Sequence, residues 1–105
     1  MGVCSHGYFF NDKKLLKQFI RDTECGKIKD FEKAMGVLHK TYHSFRYNMN
    51  RMLRDADYTP TYEIRVTLRE KDLDELKPLD IYDEEDLKIL RDGFKEFNAK
   101  YVFLT

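Results

Sequence analysis

Three histidines and two cysteines are the side chains in this sequence best suited to hold a metal ion. His39 and His43 are four residues apart, which would put two zinc-binding histidines on one face of a helix. Cys4, His6 and Cys25 are the donors that could complete such a site. The spacing between the two cysteines fits no zinc-finger pattern. We therefore predict that the histidines face solvent or the core and that the protein holds no metal and no cofactor.

A run of carboxylates marks the second half of the chain. Asp83 is followed directly by Glu84, Glu85 and Asp86, and residues 70–92 contain ten acids and four bases. No glycine stands where a calcium loop needs one, and the first turn of a helix favours anions. Glu84, Glu85 and Asp86 are candidate contacts for a protein with a basic surface. Such a face could also imitate the phosphate spacing of a nucleic acid.

Basic and polar residues dominate an earlier segment, which has no acid between Lys33 and Arg54. Arginine and lysine suit phosphate contacts, arginine also suits guanine, and asparagine suits adenine. A helix over this segment would turn eight such residues outward. The candidate nucleic-acid contacts are His39, Lys40, His43, Ser44, Tyr47, Asn50, Arg51 and Arg54.

An apolar stripe predicts helical structure for residues 28–56. Its members repeat at alternating steps of four and three, which keeps them on one helix face. They are Phe31, Met35, Leu38, Tyr42, Phe45, Met49, Met52 and Ala56. The pattern fits either one long helix over residues 29–54 or two helices that are separated at Gly36.

The two-helix alternative resembles the helix-turn-helix of DNA-binding proteins over residues 26–54. In that motif a short helix ends at a glycine in a tight turn, and a second helix enters the major groove. The resemblance implies a first helix at residues 28–35 and a turn at Gly36, which would need positive φ. It also implies a recognition helix at residues 39–54, with double-stranded DNA as its ligand.

Further periodic segments complete the predicted fold. Asn11 or Asp12 can cap a helix over residues 13–23, and Asp83 can cap another that ends near Asn98. Residues 62–68 alternate between apolar and polar side chains, as a half-buried strand does. Residues 8–10 and 101–104 are short apolar strands. The prediction is an α+β fold, with three to four helices packed on a small, mainly antiparallel sheet.

Length and charge bound the class of protein. With 105 residues the chain is expected to be a single domain, comprising a basic helical part at 1–57 and a strand and acidic helix at 58–105. Residues 1–54 carry 11 cations and five anions, and residues 55–105 carry eight cations and 14 anions. We expect a cytoplasmic protein with reduced thiols and no membrane contact, since no signal peptide or long apolar run is present.

Two functions from different classes follow from these features. The first is a small DNA-binding regulator that acts through the basic helix. The alternative is a small protein-binding inhibitor or adaptor that acts through the acidic half. Neither is an enzyme, because no nucleophile arrangement, phosphate loop or dinucleotide fingerprint can be built from this sequence. A homodimer is a further possibility, because the apolar stripe could pair helices from two copies of the chain.

Overall fold

A four-stranded antiparallel sheet lies at the centre of the molecule. A computed structural model describes residues 5–24, 34–40, 43–59 and 64–105. Its strands are β1 (Ser5–Phe10), β2 (Gly36–Lys40), β3 (Val66–Leu68) and β4 (Tyr101–Leu104), in the spatial order β2-β1-β4-β3. Its helices are α1 (Lys13–Glu24), α2 (His43–Asp55) and α3 (Ile81–Glu96), and a 3₁₀ helix covers Glu70–Glu75.

Helices cover both faces of this sheet. Successive side chains of a strand point to opposite faces, so β1 supplies apolar side chains to both sides. Tyr8 and Phe10 pack with Phe19 of α1 on one face. Phe9 packs with residues of α2 and α3 on the other, where Phe94 meets its ring edge-on. These contacts confirm the predicted α+β class and the antiparallel sheet.

Local sequence signals place several elements correctly. The Asp12 carboxylate accepts hydrogen bonds from the amides of Lys14 and Leu15, so of the two predicted caps, Asn11 and Asp12, it is Asp12 that caps α1. In the segment around β3, Ile64 and Leu68 are buried while Arg65 and Thr67 are exposed, which confirms the predicted alternation for the described residues. Residues 60–63 lie outside the described part.

The prediction for residues 36–40 was wrong, because this segment is strand β2. His39 pairs with His6 and Val37 pairs with Tyr8 across the β1–β2 ladder. Exposed and half-buried side chains alternate along β2, as in a strand with one wetter face. Neither one long helix nor a helix-turn-helix centred on Gly36 describes this segment. The proposed first helix at residues 28–35 lies mostly outside the described residues.

Gly36 is explained by close packing and not by a turn. Its φ lies outside the left-handed region, and a Cβ at this position would lie 2.4 Å from the ring of Phe97. The glycine thus lets the ring that follows α3 approach the backbone of β2. The expectation of positive φ at Gly36 is therefore corrected.

The start of α3 also differs from the prediction. Asp80 is the N-cap, and its carboxylate accepts a hydrogen bond from the Asp83 amide at 3.0 Å. The helix begins at Ile81, three residues earlier than expected. Asp83 is therefore in the first turn, and its side chain is fully buried. After the helix, Asn98 takes a φ of 49°, consistent with its predicted role at the end.

The apolar stripe of α2 is used inside the chain. Phe45, Met49 and Met52 are buried, together with Leu53, in the core shared with α3 and the sheet. The described part of this stripe is therefore not available to pair with a second copy. Among the described helices, none is long and apolar enough to cross a membrane.

Gly93 allows α3 to pack directly on Phe9. A Cβ at residue 93 would lie 2.4 Å from the tip of that fully buried ring. We expect Gly93→Ala to lower the free energy of unfolding by up to about 2 kcal/mol. Overpacking a core costs roughly 1–3 kcal/mol, and the better helix propensity of alanine offsets about 1 kcal/mol of this. Urea denaturation measures the change.

The matched control repeats the substitution in a Phe9→Leu background. Leucine lacks the ring tip that the added methyl group meets, so Gly93→Ala should cost less there or stabilise the protein. An equal loss in both backgrounds would contradict the packing explanation.

Candidate functional site

The structure divides the eight predicted nucleic-acid contacts between two elements. His39 and Lys40 belong to β2, while Tyr47, Asn50, Arg51 and Arg54 belong to α2. The side chains of His43 and Ser44 lie outside the described residues. The eight residues therefore do not form one outward helix face, which corrects the predicted recognition helix at residues 39–54.

Within α2, most of the described candidates are not presented to solvent. Asn50 is buried, and Arg54 is half-buried and takes part in interactions within the protein. Arg51 forms an ion pair with Asp83 of α3. Tyr47 is the exception in this group, with 65% of its surface exposed. The outward polar face that the sequence predicted is thus largely buried or engaged within the protein.

The Arg51–Asp83 ion pair is buried between α2 and α3. The Asp83 side chain is 0% exposed, and the Arg51 side chain is 22% exposed. The same carboxylate oxygen also accepts a hydrogen bond from the Leu79 amide at 2.9 Å. A buried carboxylate without a cation would carry a large desolvation penalty, so Asp83 requires Arg51 in place. The pair therefore ties the amino end of α3 to α2.

A second polar contact lies between α2 and α3, one helical turn away from the ion pair. We call this line of polar contacts the α2–α3 seam. The Asn48 amide donates to the Asp86 carboxylate at 3.0 Å. Burial raises the pKa of the Asp86 carboxyl above its ordinary value, although the amide and the Lys40 ammonium act in the opposite direction. Since Asn48 pairs with Asp86 and Arg51 pairs with Asp83, the two helices run antiparallel. Asp86 faces the α2–α3 seam and only partly faces solvent.

The amino end of α3 exposes three large apolar side chains within four residues. The exposed fractions are 71% for Leu79, 62% for Ile81 and 65% for Tyr82. The carboxylates of Glu84 and Glu85 lie beside them and are also exposed. Among the described residues, neither carboxylate has a hydrogen-bond or ion-pair partner. We call these five residues, Leu79, Ile81, Tyr82, Glu84 and Glu85, the α3 patch.

Helical geometry separates the α3 patch from the core. Asp83, Leu87 and Leu90 form the buried face of α3. At 100° per residue, Ile81 and Glu85 point away from that face. The patch is held rigidly because Leu79 and Asp80 both hydrogen-bond into the first turn through Asp83. Its side chains therefore project from a fixed backbone.

A basic surface lies along the outer face of α1, which packs on the opposite face of the sheet from α2 and α3. Four cations share its outer face, because they follow one another at helical spacing opposite Leu16 and Phe19. They are Lys13, Lys14, Lys17 and Arg21. The described residues place no carboxylate at ion-pair distance from any of the four. Sequence reasoning assigned the basic surface to residues 39–54 and overlooked this one, although the spacing of these cations was visible.

A polar cleft of about 520 Å³ lies beside the 3₁₀ helix. Tyr58 donates to Glu75 and Asp72, and the bond to Glu75 raises the pKa of the Tyr58 hydroxyl well above its ordinary value. Burial raises the pKa of the Asp72 carboxyl, but the hydrogen bonds from Arg69 outweigh burial and hold it below its ordinary value. These four side chains, with one cation and two carboxylates, bond to one another, so the cleft holds a hydrogen-bonded network at the edge of β3.

The described residues contain no cluster of three histidine, cysteine or carboxylate side chains that could hold a metal ion. Cys4 and Cys25 lie outside the described part. His39 and His43 do not share a helix face, since His39 is in β2. Its ring instead lies beside that of His6 in β1.

Comparisons with known proteins find no match to this chain. No family model, curated protein or solved structure matches it.

The buried ion pair predicts an asymmetric response to mutation. We expect Arg51→Met to lower the free energy of unfolding by about 3–5 kcal/mol, because Asp83 is left buried without a cation. Adding Asp83→Asn should restore most of this loss, since asparagine carries no charge and its oxygen can still accept from Leu79. Urea denaturation of both variants measures the difference. A double variant no more stable than Arg51→Met would contradict a charge-based penalty.

Proposed function

We propose that this protein is a small protein-binding module, an inhibitor or adaptor without enzymatic activity, and that the α3 patch contacts its partner. The observation that carries the proposal is the exposure of Leu79, Ile81 and Tyr82 within four residues. Single exposed apolar residues are ordinary on protein surfaces. A contiguous group of them, bordered by charged side chains, is typical of an interaction site.

The shape and charge of the α3 patch favour a protein as its ligand. Small-molecule sites are concave, whereas the patch projects from the end of a helix. Glu84 and Glu85 would be repelled by anionic membrane lipids and by nucleic acid. The partner is therefore a protein with a basic surface around an apolar contact. The apolar side chains favour such a contact over a simple imitation of phosphate spacing.

Rigidity supports the same proposal. Binding costs less when the contact residues are already ordered. The Asp80 cap and the Asp83 hydrogen bond to Leu79 fix the backbone beneath the patch. Of the three acids predicted to contact a partner, Glu84 and Glu85 remain in the patch. Asp86 instead positions α3 through Asn48.

The test compares Tyr82→Ser with Tyr47→Ser. Both tyrosines are 65% exposed and lie on helices, so the two variants make the same change at equally exposed positions. We expect proteins captured by the wild type to bind Tyr82→Ser at least about tenfold more weakly, as an interface tyrosine is frequently a hot spot. They should bind Tyr47→Ser almost as well as the wild type. Quantitative affinity capture followed by titration of the purified partner measures both.

Charge reversal provides an independent arm of this test. Glu84→Lys with Glu85→Lys should weaken binding and reduce its dependence on salt, because the patch would then repel a basic partner. Both substitutions are at exposed positions, but they lie near the amino end of α3, where the helix dipole favours anions, so stability should fall by about 1–2 kcal/mol at most. Unaltered affinity in Tyr82→Ser and in the charge-reversed variant would exclude the α3 patch as the binding surface.

The basic face of α1 favours double-stranded DNA as a second candidate partner. Lys13, Lys14, Lys17 and Arg21 are all exposed on that face. Their spacing suits contacts with successive phosphates, which give affinity without sequence specificity. In this alternative α1 replaces α2 as the DNA-contacting helix, because Arg51 is engaged with Asp83.

Fluorescence anisotropy with a random-sequence duplex tests the DNA alternative. We expect Lys14→Glu with Lys17→Glu to weaken binding at low salt at least about tenfold, and binding of the wild type to fall steeply as salt increases. The matched control is Lys77→Glu with Lys95→Glu, which changes net charge equally at exposed positions elsewhere. Equal losses in both variants, or no binding by the wild type at low salt, would reject a DNA contact through α1.

A further inference from the structure

Two histidines face each other across neighbouring strands on the α1 side of the sheet. His6 of β1 is paired directly with His39 of β2 in the antiparallel register. Nδ1 of His39 lies 2.7 Å from Nε2 of His6, and the ring centroids are 4.5 Å apart. The two nitrogens therefore point at the same small volume. A contact this short requires one nitrogen to carry a proton and the other to offer its lone pair.

The position of His6 is fixed by its surroundings. Its backbone exchanges two hydrogen bonds with Thr105, at 2.8 and 2.9 Å, on the side of β1 away from β2. Its ring stacks on the buried Tyr8 ring, with centroids 5.7 Å apart and an angle of 11° between the planes. His39 is exposed, so its ring has room to adjust. One ligand is thus preorganised and the other is adaptable.

The pair has the chemistry of a metal-binding site with two protein ligands. Zinc binds imidazole nitrogen at about 2.0–2.1 Å, and tetrahedral geometry then separates two ligand nitrogens by roughly 3.4 Å. A small rotation of the exposed His39 ring would open the present 2.7 Å contact to that distance.

We propose that His6 and His39 bind a divalent transition-metal ion of the zinc class, through Nε2 of His6 and Nδ1 of His39. When the ion binds, the ring that carries the shared proton changes tautomer, its proton moving through solvent to its other nitrogen, so that both facing nitrogens offer a lone pair. Imidazole donors favour zinc, nickel and copper over magnesium and calcium, which prefer oxygen ligands. Since the described residues supply no third ligand here, the remaining coordination positions are open to water or to a donor group from a binding partner.

Zinc titration of the full-length protein, followed through histidine side-chain NMR resonances, tests this site. We expect the ring signals of His6 and His39 to shift together on addition of zinc chloride and to stay unchanged with magnesium chloride. The same titration by calorimetry should show one binding event that weakens at least tenfold in His39→Asn. Because His39 is exposed, this variant is expected to keep its fold.

His43 supplies the matched control, since it is the third histidine of the chain and lies outside the proposed pair. His43→Asn should bind zinc as tightly as the wild type, and His6→Gln should lose the same binding event as His39→Asn. The proposal is overturned if zinc moves neither ring signal, or if His39→Asn binds zinc as tightly as the wild type does. In that case the pair is a structural hydrogen bond alone.

Discussion

The buried ion pair between Arg51 and Asp83 joins the basic first half of the chain to its acidic second half. The excess of cations before residue 55 and of anions after it thus has a role inside the fold. Asp83 cannot remain buried and charged without Arg51, so the position of α3 on α2 follows from this contact. Since adjacent helical residues lie 100° apart, turning Asp83 inward also directs Ile81 and Glu85 outward. The same constraint that stabilises the core therefore creates the exposed α3 patch.

The elements that the sequence predicted well are those with local signals. Asp12, whose carboxylate can accept hydrogen bonds, comes directly before the helical repeat of apolar residues and caps α1. Around β3, buried and exposed side chains alternate, as they do in a half-buried strand. The segment 36–40 was misassigned because Met35 and Leu38 happen to continue the spacing of the true helical residues Phe45, Met49 and Met52. Five residues can satisfy a helical and a strand period at once. Pairing with β1 decides between them, and pairing is a long-range property.

The candidate sites were predictable to different degrees. Glu84 and Glu85 were predicted as partner contacts from the acidic run, and both are exposed; the contact itself stays a prediction. The exposure of Leu79, Ile81 and Tyr82 was not predictable, because an apolar residue near a helix start looks the same in sequence whether it packs inward or projects outward. Asp80 caps the helix three residues earlier than expected. Ile81 and Tyr82 are therefore in the first turn, where their side chains are exposed. The proximity of His6 and His39 depends on strand register between residues 33 positions apart, which no local pattern contains.

Strand β2 contributes one charged or titratable side chain to each face of the sheet. His39 and Lys40 are adjacent, so in a strand their side chains point to opposite faces of the sheet. His39 faces His6 on the α1 side, while the charge of Lys40 acts on Asp86 on the α3 side. In the predicted recognition helix, His39 and Lys40 would both have been exposed on one basic surface. The strand instead assigns one residue to the histidine pair and the other to the seam beneath the α3 patch. A partner on α3 and a metal ion at the histidine pair would therefore lie on opposite faces of one sheet.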